Sequence, residues 1–137
     1  MSSDPQEQSE VVIACNPGAI DPASRHSHVA IAQSIFSRET ILEIRELPDG
    51  YAFRLPLETP MLYKSVEWIA NERLCCPFFT FTLVVADQLW LELTGTPEVK
   101  QIIQTDVLRI IKTGSFPALD ELEANYAAVT RATEAQS

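Results

Sequence analysis

The chain has 137 residues, of which 46% are hydrophobic and 21% charged, as is typical of a globular protein large enough to bury its own core. Its formal charge of −9 repels phosphate backbones and anionic lipid surfaces, so we expect neither a nucleic-acid nor a membrane partner. The amino terminus lacks the basic and apolar regions of a secretory signal, and we therefore expect a cytoplasmic protein in which the three cysteines form no structural disulfide framework.

The first third of the chain predicts a tail, a strand and a helix. Residues 1–9 are polar without hydrophobic periodicity, which indicates a disordered tail. Residues 11–15 begin with three β-branched residues and are followed by a turn sequence, which predicts a short strand. Asp21 followed by Pro22 is typical of a helix start, and the hydrophobic spacing predicts a helix over residues 21–36.

Two hairpins and three further helices are predicted after residue 36. The hairpins are indicated by alternating hydrophobic residues on both sides of a turn, and the helices by apolar positions three and four residues apart. These elements are, in chain order, strands 40–47 and 51–55, a helix over 61–75, strands 79–85 and 89–93, and helices over 98–112 and 117–132.

The predicted order β-α-β-β-α-β-β-α-α indicates an α+β fold. We expect a single domain over residues 10–115, with an antiparallel or mixed sheet of about five strands and helices on one face, in a ferredoxin-like or related sandwich. Residues 116–137 are predicted to form a carboxy-terminal helix and tail that are available to pack on a partner. A homodimer is the expected assembly.

The helix over residues 61–75 ends at two adjacent cysteines. Its inward-facing residues are predicted to be Leu62, Val66, Ile69 and Ala70. Pro77 ends the helix, because a proline disfavours helical geometry in the residue before it. Adjacent helical residues point about 100° apart, so we expect a buried Cys76 and an outward-facing Cys75.

Thiol pairs bind soft metals or exchange electrons. Cys75 and Cys76 lie at a helix carboxy terminus, where the helix dipole raises a thiol pKa, whereas redox cysteines favour helix amino termini. A bound cation would supply the missing positive charge, so metal binding is favoured over thiol catalysis. We therefore expect a protein that binds a soft or transition metal, or senses thiol-reactive compounds, through Cys75 and Cys76. Cys15 and His28 are predicted to complete a shell for Zn²⁺ or another soft metal ion, an arrangement that depends on the topology.

Two alternatives remain open for the cysteines. One is a thiol oxidoreductase with Cys75 as its nucleophile, which requires a lowered thiol pKa. The other is a non-catalytic homodimeric interaction module whose cysteines are packing residues, since free cysteines are often buried as small hydrophobes. No phosphate-binding loop, dinucleotide-binding glycine motif, hydrolase nucleophile motif or zinc-protease motif occurs, which argues against nucleotide enzymes and hydrolases.

The chain resembles a small family of bacterial proteins to which no activity is assigned. The resemblance is carried by Arg25 with His26 or His28, and by residues 46–53 (ELPDGYAF), 72–79 (ERLCCPFF) and 89–95 (LWLELTG). The element Glu-Arg-x-Cys-Cys-Pro-Phe is its specific part. The resemblance implies a compact α+β protein in which Cys75, Cys76, Glu72 and Cys15 belong to the site. Glu72 and Arg73 are predicted to be supporting residues of that site.

Overall fold

A four-stranded antiparallel sheet lies at the centre of the computed structural model, which describes residues 14–117 and 119–136. The strands are β1 (Glu43–Leu47), β2 (Gly50–Leu55), β3 (Thr80–Val85) and β4 (Leu89–Thr94). Each hairpin joins neighbouring strands, and β2 pairs with β4, so the strand order is β1-β2-β4-β3.

One helix precedes the first hairpin, one links the two hairpins, and two follow the second hairpin. They are α1 (Arg25–Ile35), α2 (Thr59–Cys75), α3 and α4 (Leu119–Gln136). Helix α3 consists of Pro97–Ile102 and Leu108–Thr113 joined by a π-helical turn, Ile103–Val107. Two single 3₁₀ turns, Pro17–Ala19 and Pro22–Ser24, lead into α1. Gly114, with a φ of 74°, ends α3 in the left-handed conformation that glycine adopts without a steric cost.

Helices α1, α2 and α3 pack over one face of the sheet and enclose the larger of two hydrophobic clusters in the described part of the chain. On that face β2 contributes Tyr51, Phe53 and Leu55, and all three are buried. Its partner β4 contributes Leu89, Leu91 and Leu93, which are also buried. The same cluster contains Ile35 near the end of α1, Trp68 of α2, and Val99, Ile103 and Ile111 of α3. Phe53 lies opposite Leu91 in register, so the alternation predicted for both hairpins matches the buried face.

The predicted α+β class and the antiparallel sheet are confirmed, but finer details are not. Residues 11–13 of the predicted fifth strand, and the predicted tail over residues 1–9, lie outside the described residues, and Ala14 and Cys15 are not in a strand. The ferredoxin-like connection is not confirmed, because that fold contains split β-α-β units whereas here each hairpin pairs antiparallel and α2 links the two hairpins.

The predicted inward face of α2 is wrong by about one residue. Val66 is 56% exposed, and the fully buried line runs instead through Met61, Ser65, Trp68 and Cys75. Ser65 can be buried because its hydroxyl donates to the Met61 carbonyl oxygen at 2.8 Å. A polar residue with its own local hydrogen bond therefore lies on the core face, and the aliphatic residues flank that face.

Candidate functional site

Three cysteines meet where α2 ends. The Sγ atoms of Cys15, Cys75 and Cys76 all lie within 4.8 Å of one another. Cys15 and Cys76 form a disulfide across 61 residues of sequence, with their Cα atoms 4.9 Å apart. Cys75 is a free thiol, and its Sγ lies 3.7 Å from that of Cys76. The convergence predicted for these three residues is present, whereas the expectation that no structural disulfide forms is not met.

The segment around Cys15 reaches the end of α2 through backbone contacts. The Asn16 N–H donates to the Cys75 carbonyl oxygen at 2.8 Å, one of the carbonyls that a helix end leaves without an internal partner. Arg25 holds the following turn, because its guanidinium donates to the carbonyl oxygens of Ile20 at 3.0 Å and Gly18 at 3.3 Å. Cys15 is thereby brought within 4.8 Å of both sulfurs of the pair.

Cys75 is buried, contrary to the prediction that it faces outward. Its relative exposure is 4%, and that of Cys76 is 0%. The prediction considered α2 alone, whereas the segment after Cys15 covers the helix end and places Ile20 against both cysteines. The pKa of the Cys75 thiol is raised to about 12, first by burial and then by the negative charge of Glu72, while the Asn16 N–H offsets part of the increase.

His28 and Glu72 form a pair beside the cysteines. His28 Nε2 lies 2.7 Å from Glu72 Oε1, and both side chains are largely buried. His28 also stacks on Trp68 with ring centroids 6.4 Å apart. Its Nδ1 is buried and has no hydrogen-bond partner in the described part of the structure. A carboxylate accepts only, so this geometry places a proton on Nε2 and leaves Nδ1 as a bare acceptor in the neutral ring.

The remaining predicted site residues are not members of the sulfur cluster. His28 lies outside the group of ligand atoms formed by the three cysteines, so its role as a metal ligand stays a prediction. Glu72 is close enough to act on Cys75 through its charge, as the supporting role requires. Arg73 is exposed in the last turn of α2, forms no ion pair within the described residues, and is not among the causes of the pKa shift of Cys75.

A cavity of about 390 Å³ opens beside the cysteines. It lies between the turns after Cys15, helices α1 and α2, the π-helical turn of α3 and the start of α4. Cys15 and Cys75 line it, whereas Cys76 does not. Most of its wall is apolar, and the aromatic residues of that wall are Phe36, Trp68, Phe78, Phe79 and Phe116. Helix α4, predicted to be available to a partner, contributes Leu122 and Asn125 to the same wall.

Two contributors to this site had weak or no sequence signals. Asn16 acts through its backbone N–H, which any residue except proline supplies. Arg25 shares a helix face with His28, but its acceptors are backbone carbonyls seven and five residues earlier, in a turn that sequence spacing does not define. The burial of Ile20 follows from the same turn. The vicinal cysteines identified the location of the site but not the segment that covers it.

Replacing Glu72 by glutamine is expected to lower the Cys75 pKa. The substitution removes a negative charge that disfavours the thiolate, but burial is the larger cause, so the pKa should stay above its ordinary value. In the oxidised protein Cys75 is the only free thiol, so the pH dependence of the alkylation rate measures the pKa of Cys75. Glu67→Gln, an exposed position on α2, is the matched control. An unchanged or raised alkylation midpoint in Glu72→Gln contradicts the assigned cause.

Among the described residues, no helix is both long and apolar enough to cross a membrane. Comparison with protein-family models, curated proteins and solved structures finds no match to this chain. The geometry of the site is therefore the basis for a functional conclusion.

Proposed function

We propose that this protein binds one soft or transition metal ion through the thiolates of Cys15, Cys75 and Cys76. The observation that carries the proposal is the convergence of three sulfurs within 4.8 Å. Thiolates select soft and borderline ions such as Zn²⁺ and Cu⁺ over hard cations. Three protein ligands leave one coordination position open, and the adjacent cavity is available to it.

The separation of the vicinal sulfurs suits a shared ion. Two thiolates bound tetrahedrally to zinc at about 2.3 Å stand about 3.8 Å apart. The Sγ atoms of Cys75 and Cys76 are 3.7 Å apart, so an ion can bridge them without a backbone movement. Cys15 is bonded to Cys76 in the oxidised state, and a reductant must open that bond before Cys15 can bind the ion.

Charge also favours a ligand role over a nucleophilic one. The pKa of Cys75 is raised to about 12, so a thiol and not a thiolate is present near neutral pH in the metal-free protein. This direction is opposite to the one that a thiol oxidoreductase with Cys75 as nucleophile requires. A bound cation holds thiols deprotonated, and Glu72 adds a negative charge nearby that favours the cation.

Metal uptake by the reduced protein tests the proposal. Protein reduced with a phosphine and kept anaerobic is expected to take up one Cd²⁺ or Zn²⁺ per chain, with thiolate-to-cadmium ultraviolet absorption. Uptake should release protons and strengthen as pH rises, because the thiols must ionise. The oxidised protein, in which two of the sulfurs are bonded to each other, is expected to take up none.

Cys75→Ser supplies the matched variant, because it leaves the Cys15–Cys76 disulfide able to form. It should lose stoichiometric uptake in the reduced state while its oxidised form folds as the unsubstituted protein does. His28→Gln tests the predicted fourth ligand, which lies outside the sulfur group and whose Nδ1 has no partner among the described residues while Nε2 pairs with Glu72. Reduced, folded protein that takes up no Zn²⁺, Cd²⁺ or Cu⁺, or uptake that Cys75→Ser does not change, would refute the proposal.

A further inference from the structure

We propose that the physiological ligand of the three-cysteine site is a thiophilic metal or metalloid that carries one apolar organic substituent, with the metalloid bound to Cys15 and Cys75 and the substituent in the adjacent cavity. This inference rests on the proposed function, because it uses two of the same sulfurs. It adds the chemical class of the ligand and a role for the cavity.

The size of the cavity is the first argument. A bare ion held by three sulfurs fills no space beyond its coordination shell, yet about 390 Å³ lies directly against two of those sulfurs. An apolar cavity of about 150 Å³ is enough to take benzene. The space beside Cys15 and Cys75 therefore has room for an aryl or branched alkyl group in addition to the ion.

The lining of the cavity is the second argument. The cavity is lined by the aromatic rings of Trp68 on α2 and of Phe78 and Phe79 in the turn between α2 and β3. Phe116, in the segment before α4, also lines it. Phe78 and Phe79 pack together with ring centroids 4.8 Å apart. These rings can bind an apolar group by removing its surface from water.

The arrangement of the sulfurs is the third argument. Only Cys15 and Cys75 face the cavity, whereas Cys76 lies behind them and is fully buried. A trivalent arsenic atom with one organic substituent has two positions left for thiolates, so it needs two sulfurs and not three. A metalloid approaching from the cavity side meets those two first.

The binding step balances without an electron transfer once the disulfide is open. A dithiol reductant first converts the Cys15–Cys76 disulfide to two thiols and is itself oxidised to a disulfide. An organoarsenous acid, RAs(OH)₂, then forms two As–S bonds and loses two As–O bonds. Each cysteine proton leaves with a hydroxyl group as water, and arsenic stays trivalent. The leaving hydroxyl groups accept the protons, so the reaction does not need a thiolate beforehand.

A pair of probes separates the organic substituent from the metalloid. Phenylarsenous acid and methylarsenous acid deliver the same As(III) atom and differ in the group that would enter the cavity. Reduced protein is expected to bind one phenylarsenous acid per chain at least about tenfold more tightly than methylarsenous acid, because the larger group buries more apolar surface. Intact mass should show one phenylarsenic group gained and two thiol protons lost.

Two variants assign the sulfurs. Cys76→Ser leaves Cys15 and Cys75 as thiols and removes the disulfide, so it should bind phenylarsenous acid without any reductant. The double variant Cys15→Ser/Cys76→Ser keeps a single thiol and should lose the two-bond adduct. Folded Cys76→Ser that fails to bind, or a double variant that binds equally well, overturns the assignment. If Cys76→Ser is unfolded, the reduced natural sequence still tests the class of ligand, because it must bind phenylarsenous acid more tightly than methylarsenous acid.

A third variant tests the cavity itself. Val29 on α1 lines the cavity and is only half-buried, so Val29→Phe adds volume there with little disturbance of the core. It should remove most of the preference for phenyl over methyl while leaving methylarsenous acid binding unchanged. This inference is overturned if the protein takes up Cd²⁺ but does not prefer phenylarsenous acid over methylarsenous acid. It is also overturned if Val29→Phe does not reduce that preference. In both cases the proposed function still stands. Uptake of neither cadmium nor arsenicals overturns both.

Discussion

Reduction of the Cys15–Cys76 disulfide is expected to lower the free energy of unfolding by about 4 kcal/mol. The bond spans 61 residues, and a crosslink of that length restricts the unfolded chain by an amount of this order. For a domain of 137 residues this is a large fraction of the usual stability. Urea unfolding of oxidised and phosphine-reduced protein measures the difference, with the free thiol count reporting one thiol before reduction and three after.

Cadmium should recover much of that loss. A ligand that binds only the native state adds about 2.7 kcal/mol when its free concentration is 100 times its dissociation constant. The reduced protein therefore should unfold at higher urea with Cd²⁺ than without it. The Cys75→Ser variant is the control, since it should lose the same stability on reduction but gain little from cadmium. Equal midpoints for oxidised and reduced protein would contradict the structural role of the bond.

Trp68→Ala is expected to destabilise the protein by about 3–5 kcal/mol, the usual range for truncating a buried aromatic residue. Trp68 is 3% exposed and lies at the junction of helices and sheet. Its ring makes edge contacts with Phe36 at 4.9 Å and Phe81 at 5.5 Å, and it stacks on His28. The truncation removes these contacts and merges the vacated volume with the cavity beside Cys75.

Trp90→Ala is the matched control for that truncation. Trp90 lies on the opposite face of the sheet, is only half-buried, and has the Arg45 guanidinium 4.5 Å above its ring. Its loss should cost about 1 kcal/mol, as for other partly exposed sites. Urea unfolding of both variants in the oxidised state makes the comparison. A similar loss in the two variants would mean that Trp68 does not join the helices to the sheet as described.

The hairpins were predictable because their signals are local. Alternating hydrophobic residues around Pro48-Asp49-Gly50 and around residues 86–88 determine the turn, the buried face and the pairing within each hairpin. The pairing of Phe53 with Leu91 joins the two hairpins and was not predicted. The position of the site was also predictable, because a proline after two cysteines ends α2 there. These features depend on few residues that are close in sequence.

The features that were not predicted depend on distant segments. The exposure of Cys75 could not be read from α2, because the turns after Cys15 cover it through hydrogen bonds to backbone atoms. Which two of three sulfurs bond to each other depends on Cα separations that sequence spacing does not contain. The buried line of α2 was misplaced because Ser65 satisfies its own hydroxyl and Trp68 was not counted with the aliphatic residues.

The placement of the two tryptophans gives the site an intrinsic optical signal. Trp68 precedes Cys75 by seven residues on α2, which is about 10 Å along the helix axis, and its ring lines the cavity. A heavy atom held by the sulfurs therefore lies within quenching range of that indole. Trp90 lies beyond the sheet, where its partly exposed ring gives a red-shifted emission that does not respond to the site. Binding of a heavy atom to the thiols can therefore be followed by the intensity and emission wavelength of the protein's tryptophan fluorescence, without an added label.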